Sequence, residues 1–265
     1  MNPLAALDLE DVQNQTDDRG VAIDQVGIAD LRVPLRVAGR DGSVQQTIGT
    51  IEMDVDLAAE VKGTHMSRFV EALVEQNGPL DGPAVVALVH DVRSRLGSTR
   101  ARVSMRFPYF LSRSAPVTGF AAPVDYDGTL LAEAGPVTSL TLGVRVPITS
   151  LCPCSKEISD YGAHNQRGYV EIQVRSDGES DLWLEDLIDI AEAAGSAPIF
   201  ALLKRQDERH VTMQAYETPA FVEDIARDVA VALRSDARIA GYVVRVTNHE
   251  SIHNHSAVAT IRGGV

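Results

Sequence analysis

Residues 33–57 read VPLRVAGRDGSVQQTIGTIEMDVDL, and this stretch decides the fold. Val33, Leu35 and Val37 alternate, Asp41-Gly42 offers a tight turn, and Ile51, Met53, Val55 and Leu57 alternate again. Successive side chains of an extended strand point to opposite faces, so two such runs around a turn predict an antiparallel hairpin with one apolar face. That face needs cover. Residues 66–77 place Met66, Phe69, Val70, Leu73 and Val74 at helical spacing. Residues 83–96 read as a second helix, with Pro83 in its first turn and Gly97 just past its end. Val103, Met105, Phe107 and Tyr109 then alternate as a strand, and 115–131 supply another. The first half reads ββααββ.

The second half repeats that order, with strands at 137–150 and 167–175, helical patterns at 183–194 and 218–234, and strands at 241–248 and 256–262. The chain therefore divides into a polar, acid-rich start over 1–20, expected to be poorly ordered, a first ββααββ unit over 21–133 and a second over 134–265. The fold class is α+β. A small antiparallel sheet with two helices on one face leaves its edges unpaired, which predicts closure against further copies of the chain.

Composition narrows the function classes. The 265 residues are 45% hydrophobic and carry 24 Lys and Arg against 37 Asp and Glu, a net charge of −13. Such a chain is a poor binder of nucleic acid or an anionic membrane through its overall field, and an anionic ligand would need a local basic pocket. No apolar run approaches about 18 residues, which argues against a spanning helix. The first residues lack the basic and apolar regions of a signal peptide. Two cysteines, Cys152 and Cys154, cannot build a disulfide framework, and a reducing, cytoplasmic setting is expected.

Three clusters hold the reactive side chains. The densest runs from Leu151 to Arg167, LCPCSKEISDYGAHNQR, and begins where an alternating strand ends. Cys152 and His164 are a soft thiolate and an imidazole, both suited to zinc and other transition metals. The plain alternative is two packed cysteines and a surface histidine. The second cluster, Asn248 to His255, holds three of the chain's seven histidines. If that segment is extended, His253 and His255 share a face. The third, Lys204 to His210, mixes signs as a solvated face does, yet its basic residues suit phosphate and Glu208 suits a metal. Spacing alone stops at a mixed Cys/His/carboxylate site.

These motifs resemble the prokaryotic GTP cyclohydrolases of type IB. The resemblance rests on PITSLCPCSKEIS over 147–159 and YGAHNQR over 161–167. It extends to GTHMSRF over 63–69, FPYF over 107–110, APV over 115–117, ALLKR over 201–205 and SIHNH over 251–255. It covers the chain from about residue 25 to its C-terminus. That family has the tunnelling fold, two ββααββ units per chain whose sheets form barrels in a homotetramer.

The resemblance implies that GTP and water become 7,8-dihydroneopterin triphosphate and formate, the first step of folate and pterin biosynthesis. One divalent metal per site, Zn²⁺ or Mn²⁺, is implied, held by Cys152, His164 and Glu208. Three protein ligands leave a position for water, whose pKa a Lewis-acidic metal lowers to about 7. Cys152, Cys154, Glu250, His253 and His255 are the implied catalytic set, since imidazoles ordinarily titrate near pH 6.5 and shuttle protons. Lys204, Arg205, Arg209 and, from a neighbouring subunit, His65 are expected on the triphosphate.

The resemblance also implies that Glu223 accepts from the guanine, since members of this fold hold purine or pterin rings with a glutamate, whereas helix geometry alone favours an ordinary flanking residue. Winding 218–234 at about 100° per residue puts Phe221, Val222, Ile225, Ala226, Val229, Ala230 and Leu233 in one packing half-circle. Glu223 then falls on its border, at roughly 200°, with Asp224 and Asp228 further towards water. The rival reading within the same fold is a nitrile reductase acting on a deazaguanine with NADPH through a nucleophilic Cys152.

Overall fold

The structure, a computed structural model, describes residues 11–176 and 181–264. The opening hairpin forms as its alternation predicts. Strand β1 (Ile23–Ala38) pairs antiparallel with β2 (Val44–Leu57), and the turn between them places Gly42 at φ 80°, a conformation that favours glycine. Leu35, Val37, Ile51, Met53 and Val55 are buried from its two strands. Helices α1 (Met66–Val74) and α2 (Gly82–Leu96) follow, and α2 starts on Asp81, whose side chain accepts from Ala84 N. Strands β3 (Ala101–Ser114) and β4 (Ala121–Ala134) complete the first set.

The second set is β5 (Ser139–Leu151), α3 (Pro153–Ile158), β6 (Asn165–Ser176), α4 (Leu184–Ala194), the two-residue β7 (Ala197–Pro198), α5 (Arg205–Glu217), α6 (Val222–Ser235), β8 (Gly241–Asn248) and β9 (Ala257–Gly263). Among the described residues the strands form one sheet in the order β1-β2-β3-β4-β5-β6-β8-β9, with β7 pairing to β5, and neighbours along it are antiparallel. The sheet thus runs unbroken from one ββααββ set to the other through the β4–β5 pair. Helix α2 covers β3 and β4, α4 covers β5 and β6, and α6 covers β8 and β9. The core lies between these helices and the inward sheet face, where Met105, Ile148, Ile172, Leu187 and Ile225 are fully enclosed.

The β1–β2 turn also clasps α4. Arg40 pairs with Asp186 at 2.6 Å and Asp189 at 3.1 Å, while Glu185 accepts from Arg40 N and from the buried Tyr109 hydroxyl. Burial and then that carboxylate push the Tyr109 phenol well above its ordinary range. Of the acid-rich start, residues 1–10 lie outside those described. Residues 11–20 run beside the 58–63 loop, where Lys62 N donates to Gln15 O and Asp17 N to Glu60 O. None of the helices among the described residues is long and apolar enough to cross a membrane.

Two expectations need correction. The second half is not a plain ββααββ order: residues 204–210, solvated apart from Asp207 as their mixed charges suggest, form the entry and first turns of α5, and α3 is a further helix, neither revealed by periodicity. Helix α6 begins at Val222 rather than 218. Phe221 is its extended N-cap and is exposed, so it does not pack on the sheet with the rest of the stripe.

Candidate active site

Three strand ends and two helix ends meet at one rim of the sheet. In β5 and β6, Ser150 lies opposite Gln166 and Leu151 opposite Asn165, so the segment between them returns His164 beside Cys152. Cys152 N donates to His164 O at 3.1 Å, and His164 N donates to Ser155 Oγ at 3.2 Å. Cys152 is the N-cap of α3 with Pro153 behind it, and its Sγ accepts from Ser155 N at 3.4 Å. That amide and the helix start fix the sulfur in place at the rim.

Strand β8 brings the second cluster to the same rim. Asn248 lies opposite Gly168, and His249 N donates to Arg167 O. A side chain on Gly168 would collide with Asn248 Oδ1 at 2.5 Å, so glycine is what admits the asparagine there. Glu250 Oε2 then comes to 3.8 Å from His164 Nδ1, both side chains mostly buried. His253 and His255 do share a side, with rings stacked 5.2 Å apart, although they sit in the exposed β8–β9 loop and not on a strand.

The two helices supply the remaining edge. Ala220 N donates to Leu151 O, which brings the start of α6 to the end of β5. Glu223 sits in the first turn of α6 and is exposed. Asp224 is the less exposed of the pair, because its carboxylate turns back to accept from Phe221 N, contrary to the order expected from winding alone. At the far end of α5, Lys156 Nζ donates to Tyr216 O at 2.6 Å. Glu208 is eight residues before Tyr216, about 12 Å along that helix.

The start of α5 is held by a residue the sequence reading passed over. Asp207 is completely buried and accepts from Val117 N, Thr118 N, Thr118 Oγ1 and Lys204 N, all within 2.9 Å. Burial works against its charge, and these donors outweigh it, bringing the carboxyl down to about 2. The signal was local: a carboxylate three positions after the N-cap is a helix-start pattern. Around it Lys204, Arg205, Glu208 and Arg209 are all exposed. His65 is the N-cap of α1 and lies 3.3 Å from Asp11.

The donor chemistry of Cys152 and His164 fits a borderline transition metal. The full set of three is another matter. Among the described residues no group of three or more His, Cys, Asp or Glu side chains is gathered as a metal would need. Glu208, exposed on α5, stands apart from the other two.

Comparison with known proteins decides the lineage. A profile of the family described as "Type I GTP cyclohydrolase folE2" matches residues 9–259. The chain belongs to that family. It is 50% identical to GTP cyclohydrolase FolE2 of Paraburkholderia phymatum over 98% of this chain and 96% of that one. The FolE2 of Nitrosococcus oceani is 46% identical over 98% of each chain, and that of Dictyoglomus thermophilum 43% over 97% and 98%. Among solved structures, the uricase of Arthrobacter globiformis superposes with a TM-score of 0.53 at 9% identity, over 91% of this chain and 93% of that one. The urate oxidase of Bacillus sp. TB-90 (a highly active mutant) gives 0.53 at 9%, over 92% and 100%. The fold is the α+β tunnelling fold that the resemblance implied.

Proposed function

We propose that this member of the family opens the imidazole ring of GTP with water, releasing formate and yielding 7,8-dihydroneopterin triphosphate, and that the rim described above is where it does so. The observation that carries the reading is the convergence of Cys152, His164 and Glu250 from three separate strand ends in a chain of this lineage. Cys152 and His164 are the residues that would hold a divalent metal, Zn²⁺ or Mn²⁺, and Glu208, which stands apart from them in this chain, would be the third ligand the resemblance implies. When bound, such an ion supplies Lewis acidity at the purine C8. Every other task falls to the chain.

Adding water at C8 and expelling formate requires protons to be taken from one atom and delivered to another. Glu250, 3.8 Å from His164 Nδ1, is a carboxylate beside the ring that accepts or returns a proton at the substrate, while His253, His255 and Cys154 lie exposed at the same rim to serve the ring nitrogens and the leaving carbon. Glu223 accepts from the guanine N–H and exocyclic amino group, because a carboxylate is acceptor-only and takes two parallel hydrogen bonds. Lys204, Arg205 and Arg209 meet the triphosphate, where a cluster of cations offsets the net charge of −13.

Most of these groups are exposed on the single chain, and among the described residues β1 and β9 each end the sheet without a neighbour beyond them. Both features support a homotetramer in which a second subunit closes the site and contributes His65. Two free thiols at the rim support a reducing, cytoplasmic setting.

The test is turnover of GTP by protein supplied with Mn²⁺ or Zn²⁺, following pterin fluorescence after oxidation, beside NADPH oxidation with a deazaguanine nitrile. Pterin formation without NADPH use is expected. NADPH consumption through Cys152 would replace this reading with the nitrile reductase.

A further inference from the structure

The His164 ring is held by more than its neighbours in sequence. Its Nδ1 lies 2.9 Å from Gln166 Oε1, and Gln166 is itself buried at the start of β6. Which end of the Gln166 amide faces the ring is decided one step further in. Ser150 is 1% exposed, and its single hydroxyl proton goes to Ala220 O at 3.2 Å. The same oxygen receives Asn248 Nδ2 at 2.9 Å and Gln166 Nε2 at 3.3 Å. With its proton committed, Ser150 can only accept. The amino group of Gln166 must therefore face Ser150, which leaves its amide oxygen for His164. An amide oxygen accepts and cannot donate, so Nδ1 carries the hydrogen and Nε2 carries the lone pair.

We infer that Gln166, keyed by Ser150, is a positioning residue that locks His164 in the tautomer protonated on Nδ1 and so reserves Nε2 as the ring's donor atom. A neutral histidine in water favours the opposite tautomer, so the lock has to be built. Gln166 is suited to it in a way a carboxylate is not: it reads Ser150 with one end and the imidazole with the other, and neither end can reverse its role without opposing two donors or two acceptors. Low local dielectric raises the cost of a mispaired group in such a buried network, so each donor and acceptor around Ser150 constrains the next, although Asn248 Oδ1 itself has no partner among the described residues. Ser150 extends the arrangement to the substrate side, since the carbonyl it holds belongs to Ala220, just before the helix that carries Glu223. The catalytic meaning of the lock rests on the function proposed above, while the tautomer itself does not.

The experiment is solid-state NMR of the full chain labelled with ¹⁵N-histidine, metal-free and at a pH above the imidazole titration, with the His164 signals assigned by their absence in His164→Gln. In the unmodified protein Nδ1 is expected at the shift of a protonated ring nitrogen and Nε2 at that of a bare one. Gln166→Met keeps the volume and removes the acceptor, and a signal from protonated Nε2 is expected to appear. Ser150→Ala, which frees the amide to turn, is expected to do the same and stands in if the methionine variant does not fold. Gln166→Glu keeps an acceptor on the ring and is expected to retain the Nδ1–H signal. With metal restored, kcat/KM for GTP should fall by about 10–100-fold in Gln166→Met, the usual cost of losing a group that orients a ligating histidine, and recover in part in Gln166→Glu. Protonated Nε2 in the unmodified protein, or an unchanged tautomer in Gln166→Met, would overturn the lock. A tautomer that shifts as expected while turnover of GTP stays constant upholds the lock and removes His164 from the proposed chemistry instead.

Discussion

Asp207 shows how a single buried side chain fixes several exposed ones. Its four donors come from the start of α5 and from the 117–118 segment that connects β3 to β4, so the carboxylate joins two distant parts of the chain at the point where Lys204, Arg205, Glu208 and Arg209 emerge. Replacing it by alanine leaves those donors buried without an acceptor. Asp207→Ala should lower the thermal midpoint by several degrees, at about 2–4 °C per kcal/mol for a chain of this size, and depress kcat/KM for GTP along with it. A midpoint within a degree of the parent in scanning calorimetry would contradict the role. Glu223 is a different case, since it is exposed in the first turn of α6 and makes no side-chain hydrogen bond or ion pair among the described residues. Glu223→Gln should cost about 2–3 kcal/mol of GTP use, some 30- to 150-fold in kcat/KM, because an amide sets a donor against the guanine's donors. Metal content should be unchanged, and near-parental kinetics would return Glu223 to the solvent. In the sequence the reactive residues stood out by type and clustering, whereas Ser150, Gln166, Asn248 and Asp207 did not. They are polar residues whose importance comes from being buried, and burial is a property of the assembled sheet ends.

At the scale of elements, legibility followed apolar periodicity. Helices α2 and α4 and strands β8 and β9 lie within two residues of where alternation or helical spacing puts them, because each buries one face and the face is written in its residues. The first hairpin is found by its alternation, but its strands begin ten and seven residues before the alternating runs. Helix α5 has no such face. Its buried residues are Asp207 and Ala215, and RQDERHVTMQAYE is polar nearly all round, so no stripe marks it. Helix α3 is too short to show a period and is announced instead by Cys152 as N-cap and Pro153 at the first position. Both helices carry site residues, which is the reason they present side chains outward. Helix α6 combines the two modes and allows a paired test. Ile225 is fully enclosed against the sheet, while Val231 on the outer side is 55% exposed. Ile225→Ala should destabilise the fold by about 2–5 kcal/mol and Val231→Ala by less than about 0.5 kcal/mol. Equal denaturation midpoints for the two would contradict the placement of α6 on β8 and β9.

Among the described residues one sheet runs from β1 to β9 and stops at two open strands, and the reactive groups lie exposed at its rim. An open edge of 16 residues is a template for another strand, and closure by copies of the same chain satisfies it. Sedimentation should therefore give the mass of four chains, and mixing Cys152→Ala chains with His65→Ala chains should recover part of the activity that each lacks alone. A fully active monomer would contradict this. The repeat of ββααββ predicts such an assembly from strand order, but which residues meet across it depends on contacts that no single chain contains. The central claim is narrower, that the Cys152–His164 rim opens GTP at C8. It is tested most directly by ¹³C NMR on [8-¹³C]GTP with metal-loaded protein, comparing the parent with Cys152→Ala. The parent should release labelled formate in step with dihydroneopterin triphosphate, and Cys152→Ala should release neither and retain little metal. Formate appearing at the parental rate from Cys152→Ala, or no formate from the parent, would contradict the account.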